Sequence, residues 1–213
     1  EGLVKKSFLK TSQVIVINNG VDLDQFNPKL DTKIMKSKLG IVNEFIILGV
    51  ASYWTERKGF EDFVKLSKII DNETVIVLVG LNDIQLKNLP SNILGIKRTS
   101  SIEDLAEIYS LADVYMNLTY EDNFPTTNLE ALACGTPVLT YNTGGSIECV
   151  SDETGFIIQK GDFNQIKNTI DEIKMSDKGL YKKNCRIRAK GSYDKKVKFN
   201  EYINLYKSLL NYV

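Results

Sequence analysis

The feature that most constrains this chain is an alternation between two kinds of apolar segment. Short runs that are apolar at consecutive positions recur at Val14–Ile17, Phe45–Val50, Val75–Val79, Asn92–Ile96, Asp113–Leu118, Pro137–Tyr141 and Gly155–Ile158. Between them lie stretches of helical period, such as Phe60, Phe63, Val64, Leu66 and Ile70, or Leu105, Ile108, Tyr109 and Leu111. A strand that is apolar on both faces must be covered on both faces, and a helix between successive strands makes them parallel. The pattern predicts the α/β class: a doubly wound, Rossmann-like parallel sheet of about six strands with helices on both faces. Ser100 and Glu103 have the spacing of a capping box and predict a helix start there. Another helix is expected from about Pro125 to Ala133.

Residues 1–175 are read as the sheet domain and 176–213 as a C-terminal helical extension packing on it. The basic run Lys182, Lys183, Arg186, Arg188, Lys190, Lys195, Lys196 and Lys198 reads as a solvated helix face. The last stretch, Val197, Phe199, Tyr202, Ile203, Tyr206, Leu209 and Leu210, reads as an amphipathic helix with more apolar surface than one docking face needs.

Composition removes several function classes. With 27 basic and 27 acidic residues the net charge is zero, which argues against nucleic acid as a partner, because phosphate neutralisation needs a basic excess. Histidine is absent, so imidazole bases and His-bearing zinc sites are excluded. Cys134, Cys149 and Cys185 form no CxxC and leave an odd thiol, which fits a reducing cytoplasm. The apolar runs fall far short of the roughly 18 residues of a membrane helix. Glu1 rather than Met opens the chain and no signal peptide follows, which reads as an excised fragment.

Ligands of doubly wound sheets bind beyond the carboxyl ends of the strands. The loop Ala51–Gly59 carries Arg57 and Lys58, expected at the start of the next helix, where cations run against the helix dipole unless an anionic ligand is present. The loop Thr119–Glu130 carries Glu121, Asp122 and Glu130, acceptors suited to sugar hydroxyls. Pro125 is placed at the first helical turn, and the N–H groups of Thr126, Thr127 and Asn128 are open to a phosphate. Gly144 and Gly145 allow a tight backbone course. Asp22-Leu23-Asp24 has the form of a metal-binding DxD but follows a turn, where capping explains it. Neither GxGxxG nor GxxxxGK[ST] occurs, which weighs against a dinucleotide oxidoreductase and a P-loop NTPase.

Taken in order, Asn19-Gly20-Val21-Asp22 with Phe26, Arg57-Lys58-Gly59-Phe60, Asp122-x7-Glu130 followed by Ala131-Leu132-Ala133-Cys134-Gly135-Thr136-Pro137-Val138, and Gly144-Gly145-x-x-Glu148 resemble the family-4 retaining glycosyltransferases. The resemblance implies a GT-B fold, two Rossmann-like domains facing a cleft, of which this chain corresponds to the C-terminal, donor-binding one. It implies that Glu130 binds the ribose hydroxyls of a UDP-sugar or GDP-sugar and that Asp122 contacts the transferred sugar. Lys58 would neutralise the diphosphate, and the backbone after Phe124, through Pro125, Thr126 and Thr127, would hold the distal phosphate and sugar. Ile96 and Arg98 would line the base pocket, and Glu121 and Asn123 complete the substrate-binding set. The sequence departs from the family at Tyr53, where an Arg is usual, and Arg57 is the candidate to supply that charge. Lys58, Arg57 and Asp122 are thus the expected catalytic set, with no metal and no cofactor. The implied reaction is metal-independent sugar transfer with retention, to a carbohydrate or lipid acceptor held by a missing N-terminal domain. Any peripheral membrane contact would run through that domain, and the place of action would be the cytoplasm, up to the inner face of the membrane. Two other classes share the architecture: a non-catalytic nucleotide-sugar-binding scaffold and a GT-B sugar epimerase.

Overall fold

The computed structural model describes residues 2–42 and 44–210; the ends of the two expected segments, residue 1 and residues 211–213, lie outside the described residues. A short helix α1 (Gly2–Lys5) and a long irregular segment lead to α2 (Lys33–Lys38). The α/β unit then runs β1 (Phe45–Val50), a 3-10 turn (Glu56–Lys58), α3 (Phe60–Leu66), β2 (Thr74–Val79), α4 (Asp83–Lys87), β3 (Ile93–Ile96), α5 (Ile102–Leu111), β4 (Val114–Asn117), α6 (Thr126–Ala133), β5 (Val138–Tyr141), β6 (Gly155–Ile158) and α7 (Phe163–Met175). Two long helices, α8 (Lys178–Ser192) and α9 (Lys195–Leu210), follow.

The six strands form one sheet in the order β3-β2-β1-β4-β5-β6, with every pairing parallel. Alternate residues of each strand feed opposite cores, as the strand period of two requires. Ile46, Leu48, Val77 and Val79 point to a layer built by α2, α5, α6 and α8, through Met35, Tyr109, Leu129 and Cys185. Phe45, Ile47, Ile76 and Leu78 point to the other, built by α3 and α7 through Phe63, Leu66, Ile166 and Ile170. The doubly wound expectation is met.

Four local expectations need correction. Val14–Ile17 is not a strand and pairs with neither edge strand, β3 nor β6; the segment lies instead beside the last helices. There Val21 N–H donates to Tyr193 O at 2.7 Å, Lys195 N–H to Val21 O at 3.1 Å, and Tyr202 Oη to Ile17 O at 3.3 Å. The cap of α5 is one residue later than expected, because Ser101 rather than Ser100 accepts from the N–H three residues on, that of Asp104, at 3.0 Å; Asp104 in turn accepts from Ser100 N–H at 3.2 Å. Pro125 is the residue before the first turn of α6 and not within it. The basic run is not uniformly solvated. Lys182, Lys183 and Lys190 are exposed, but Arg186 donates to the carbonyls of Leu23, Phe26 and Ala133, and Arg188 to those of Glu148 and Cys149. Arg186 thus fastens α8 to the end of α6, and Arg188 fastens it to the segment after β5. Asp22 accepts from Asp24 and Gln25 N–H and pairs with Lys195, so the DxD segment is loop and capping chemistry, as expected.

No residue of α9 is buried. Its apolar positions stand open: Tyr202 is 39%, Tyr206 61% and Leu210 74% exposed, meeting the expectation of an apolar surplus there.

Candidate active site

The chain winds outward from β1 to β3, then returns across the sheet to β4, so β1 and β4 are neighbours whose following connections diverge. That is the switch point of the sheet, where a crevice opens beyond the strand ends. The loop after β1 carries Arg57 and Lys58, and the loop after β4 carries Glu121 and Asp122. Gly59 decides how closely they meet. It adopts φ +75°, and a Cβ there would run into the carbonyl of Leu118 at the end of β4. With only hydrogen in that place, Tyr120 N–H reaches Arg57 O at 2.9 Å and Thr119 Oγ1 reaches the same carbonyl at 3.2 Å. Lys58 Nζ then pairs with Asp122 Oδ2 at 2.7 Å.

This corrects the expected placement of the two cations. They occupy a 3-10 turn that Gly59 ends, while the first turn of α3 carries Glu61 and Asp62, the charges a helix dipole favours. Asp62 is buried and accepts from Tyr120 Oη at 2.7 Å, Tyr141 Oη at 2.8 Å and Lys65 Nζ at 3.1 Å, which ties α3 to the loop after β4 and to the end of β5. The hydrogen bond to this carboxylate, with some burial, pushes the Tyr120 phenol up to about 12.

The paired glycines act on the same loop from the other side. A Cβ on Gly144 would strike the carbonyl of Asp122, and one on Gly145 that of Asn123. Their absence lets Gly145 N–H donate to Asp122 O at 3.2 Å. Below them the fully buried Asn128 accepts from Asn117 Nδ2 at 2.8 Å and donates to Ser146 O and Oγ at 3.1 Å, locking the first turn of α6 to β4 and to the glycine loop.

These elements enclose a cavity of about 740 Å³ whose lining includes Lys58, Arg98, Asp122, Phe124, Pro125, Thr126, Thr127 and Glu130, all expected site residues. Its apolar wall includes Val50, Val79, Leu105 and Met116. Lys97 also lines it and pairs with Asp83, both contacts at 2.8 Å. Thr126 and Thr127 stand in the first turn of α6, whose N–H groups have no intrahelical acceptor. Glu130 is largely buried one turn further in; burial raises its carboxyl above the ordinary range, and a hydrogen bond from Tyr109 Oη at 3.0 Å works against that rise.

The structure does not bring every expected residue here. Arg57 and Glu121 lie on the far side of the ridge formed by the two loops. There they line a neighbouring cavity of about 1090 Å³ with Glu61 and Gln85, and Arg57 Nη1 donates to Glu121 O at 3.2 Å. Asn123 is exposed outside the first cavity, where its carbonyl abuts Gly145. Ile96 ends β3 with its carbonyl taken by Gly80 N–H at 2.9 Å. Tyr53, at 70% exposure, points to solvent.

Sequence reasoning missed Gly80, Asn117 and Tyr109. Gly80 follows β2 at φ +99°, where a Cβ would strike the Ala51 carbonyl; a glycine directly after a doubly apolar run was the available signal. Tyr109 was visible only as part of an apolar helix face. The three cysteines are free and buried, and burial pushes the thiols of Cys134 and Cys185 up to about 12 and that of Cys149 up to about 11. Among the described residues no helix is long and apolar enough to cross a membrane.

A family model described as Glycosyl transferases group 1 matches residues 31–191. The capsular polysaccharide biosynthesis glycosyltransferase CapM of Staphylococcus aureus is 26% identical over 231 aligned positions, which take in 98% of this chain and 59% of CapM. Among solved structures, sucrose-phosphate synthase from Thermosynechococcus elongatus superimposes with a TM-score of 0.85 at 25% identity, covering 100% of this chain and 56% of that one. Anabaena HepE in complex with UDP-glucose gives a TM-score of 0.83 at 18% identity, covering 98% and 62%. This chain therefore spans less than two thirds of the length of each of these proteins.

Proposed function

The chain belongs to the group 1 glycosyl transferases, and from that premise we propose that it is the donor half of a GT-B enzyme that transfers a sugar from a nucleoside diphosphate with retention and without a metal. The observation that carries this reading is the cavity at the switch point. Glu130, a largely buried carboxylate, shares it with Lys58, Lys97, Arg98 and the first turn of α6. A carboxylate suits a pair of ribose hydroxyls, whereas cations and helix N–H groups suit a diphosphate. The complex of HepE with UDP-glucose supports trying a uridine diphosphate sugar first.

In this reading Glu130 accepts from the ribose, Arg98 borders the base, and the Thr126 and Thr127 N–H groups meet the diphosphate. Lys58 and Asp122 pair with one another at 2.7 Å. On donor binding Lys58 turns to the phosphate and Asp122 accepts hydroxyls of the transferred sugar. As the glycosidic bond breaks, charge builds on the departing phosphate oxygen, and fixed donors aimed there lower the barrier because they hold the leaving group more tightly than the substrate. No imidazole is needed for that work. The acceptor, carbohydrate or lipid, is assigned to the part of the enzyme that this chain does not span, with any contact at the cytoplasmic face of a membrane. Arg57 is left outside this machinery, since it faces the other cavity.

Calorimetric titration with UDP and with GDP tests the reading. Half a cleft should bind in the micromolar to millimolar range, roughly −4 to −8 kcal/mol. Glu130→Gln keeps the shape and removes the charge, and should cost about 1–3 kcal/mol. Equal affinity of the two proteins would remove Glu130 from the site.

A further inference from the structure

Glu130 is held by a side chain to which the donor reading gives no role. Tyr109, on α5, is fully buried. Its ring meets Phe26 edge-on with centroids 6.1 Å apart and Tyr115 at 5.5 Å, and its carbonyl accepts from Thr136 Oγ1 at 2.5 Å. Ring and backbone are thus both fixed before the hydroxyl is considered. A buried phenol needs an acceptor, and this one donates to Glu130 Oε2 at 3.0 Å. Among the described residues Glu130 Oε1 has no hydrogen bond, and Glu130 lines the cavity.

We propose that Tyr109 is a positioning residue for donor binding: it holds one oxygen of Glu130 and so turns the other toward the ribose hydroxyls. The inference rests on the reading of Glu130 as the ribose-binding carboxylate. It also bears on charge. Burial favours the neutral acid at Glu130, and the Tyr109 hydroxyl is the group that favours the carboxylate. The other ionisable groups near the pair are the Tyr115 phenol and the Cys134 thiol, both of which burial holds neutral. Lys58, Lys97, Arg98 and Asp122 line the same cavity. Phenylalanine at 109 would keep the packing and remove this one donor.

The test is a double-mutant cycle of Tyr109→Phe and Glu130→Gln, read by UDP titration of this chain between pH 5 and 8. Tyr109→Phe should weaken UDP roughly tenfold near neutral pH, the scale of a hydrogen bond to a charged group. It should also move upward the pH below which binding fades. In the Glu130→Gln background the same change should do nothing further. Thr136→Val, which loosens the Tyr109 backbone without touching the hydroxyl, should lower the melting temperature and leave the pH profile in place. An equal loss in both backgrounds would make Tyr109 a packing residue and overturn the proposal. So would wild-type affinity and pH profile in Tyr109→Phe while Glu130→Gln loses affinity. Wild-type affinity in Glu130→Gln would instead overturn the donor reading, and the proposal with it.

Discussion

Replacing Gly145 by alanine should damage the site from behind while touching no ligand-facing atom. A Cβ at 145 falls far inside contact distance of the Asn123 carbonyl, and ordinary contact begins near 3.4 Å, so the loop carrying Asp122 must retreat by more than about an ångström. Overpacking of this kind costs about 1–3 kcal/mol. The Gly145 N–H to Asp122 O hydrogen bond, 3.2 Å in the native loop, would be lost as well, adding about 0.5–1.5 kcal/mol. For a chain of this size about 1 kcal/mol corresponds to roughly 2–4 °C, so the melting temperature should fall by roughly 3–18 °C. The retreat also pulls Asp122 from Lys58, so UDP affinity should drop further than the stability loss explains at temperatures where the protein stays folded. Gly191 supplies the control: it lies in α8 with open space around its Cβ position, and Gly191→Ala should be neutral or stabilising by about 0.5–1 kcal/mol. Differential scanning calorimetry with UDP titration reads both quantities. If Gly145→Ala melts and binds like the native protein, the close approach of the two loops does not shape the site.

The ridge between the cavities separates Lys58 from Arg57, so Lys58→Ala should weaken UDP binding, and Arg57→Ala should leave it within about twofold (~0.4 kcal/mol); a matched loss in both would return Arg57 to the site. Because burial raises the folded-state carboxyl of Glu130, its stabilising contribution is complete below the ordinary glutamate range and is lost as pH rises through the raised value. Glu130→Gln should therefore be more resistant to urea than the native chain near pH 8 and lose that advantage near pH 4, and equal midpoints at both pH values would contradict this. The open face of α9 should drive concentration-dependent association in sedimentation runs, relieved by Tyr206→Lys with Leu210→Lys; a native chain that stays monomeric at all concentrations would sink the idea.

The fold was legible because strands such as Phe45–Val50 and Val75–Val79 are apolar on both faces, a pattern that few other environments produce. Val14–Ile17 has similar local chemistry, and nothing in four residues reveals that the segment runs beside the last helices and not along the sheet. The cap of α5 slipped by one because Ser100-Ser101 and Glu103-Asp104 offer two registers of the same motif, between which only backbone geometry chooses. At the candidate site, Lys58, Asp122 and Glu130, singled out by type, spacing and the family resemblance, line one cavity. The parting of Arg57 from Lys58 was not legible, since a 3-10 turn closed by a positive-φ glycine sends adjacent side chains to different cavities. Nor was the Tyr109–Glu130 contact, which joins residues 21 apart in sequence on two helices and exists only through tertiary packing.

The donor reading requires that the nucleotide enter the cavity at the switch point and not its neighbour. Backbone amide chemical-shift mapping of this chain with UDP-glucose tests that directly. The cavity at the switch point predicts the largest shifts at Thr126, Thr127, Lys58 and Gly80, with those at Glu61 and Gln85 near zero. Shifts concentrated on Glu61, Gln85 and Arg57, or none at millimolar UDP-glucose, would contradict it.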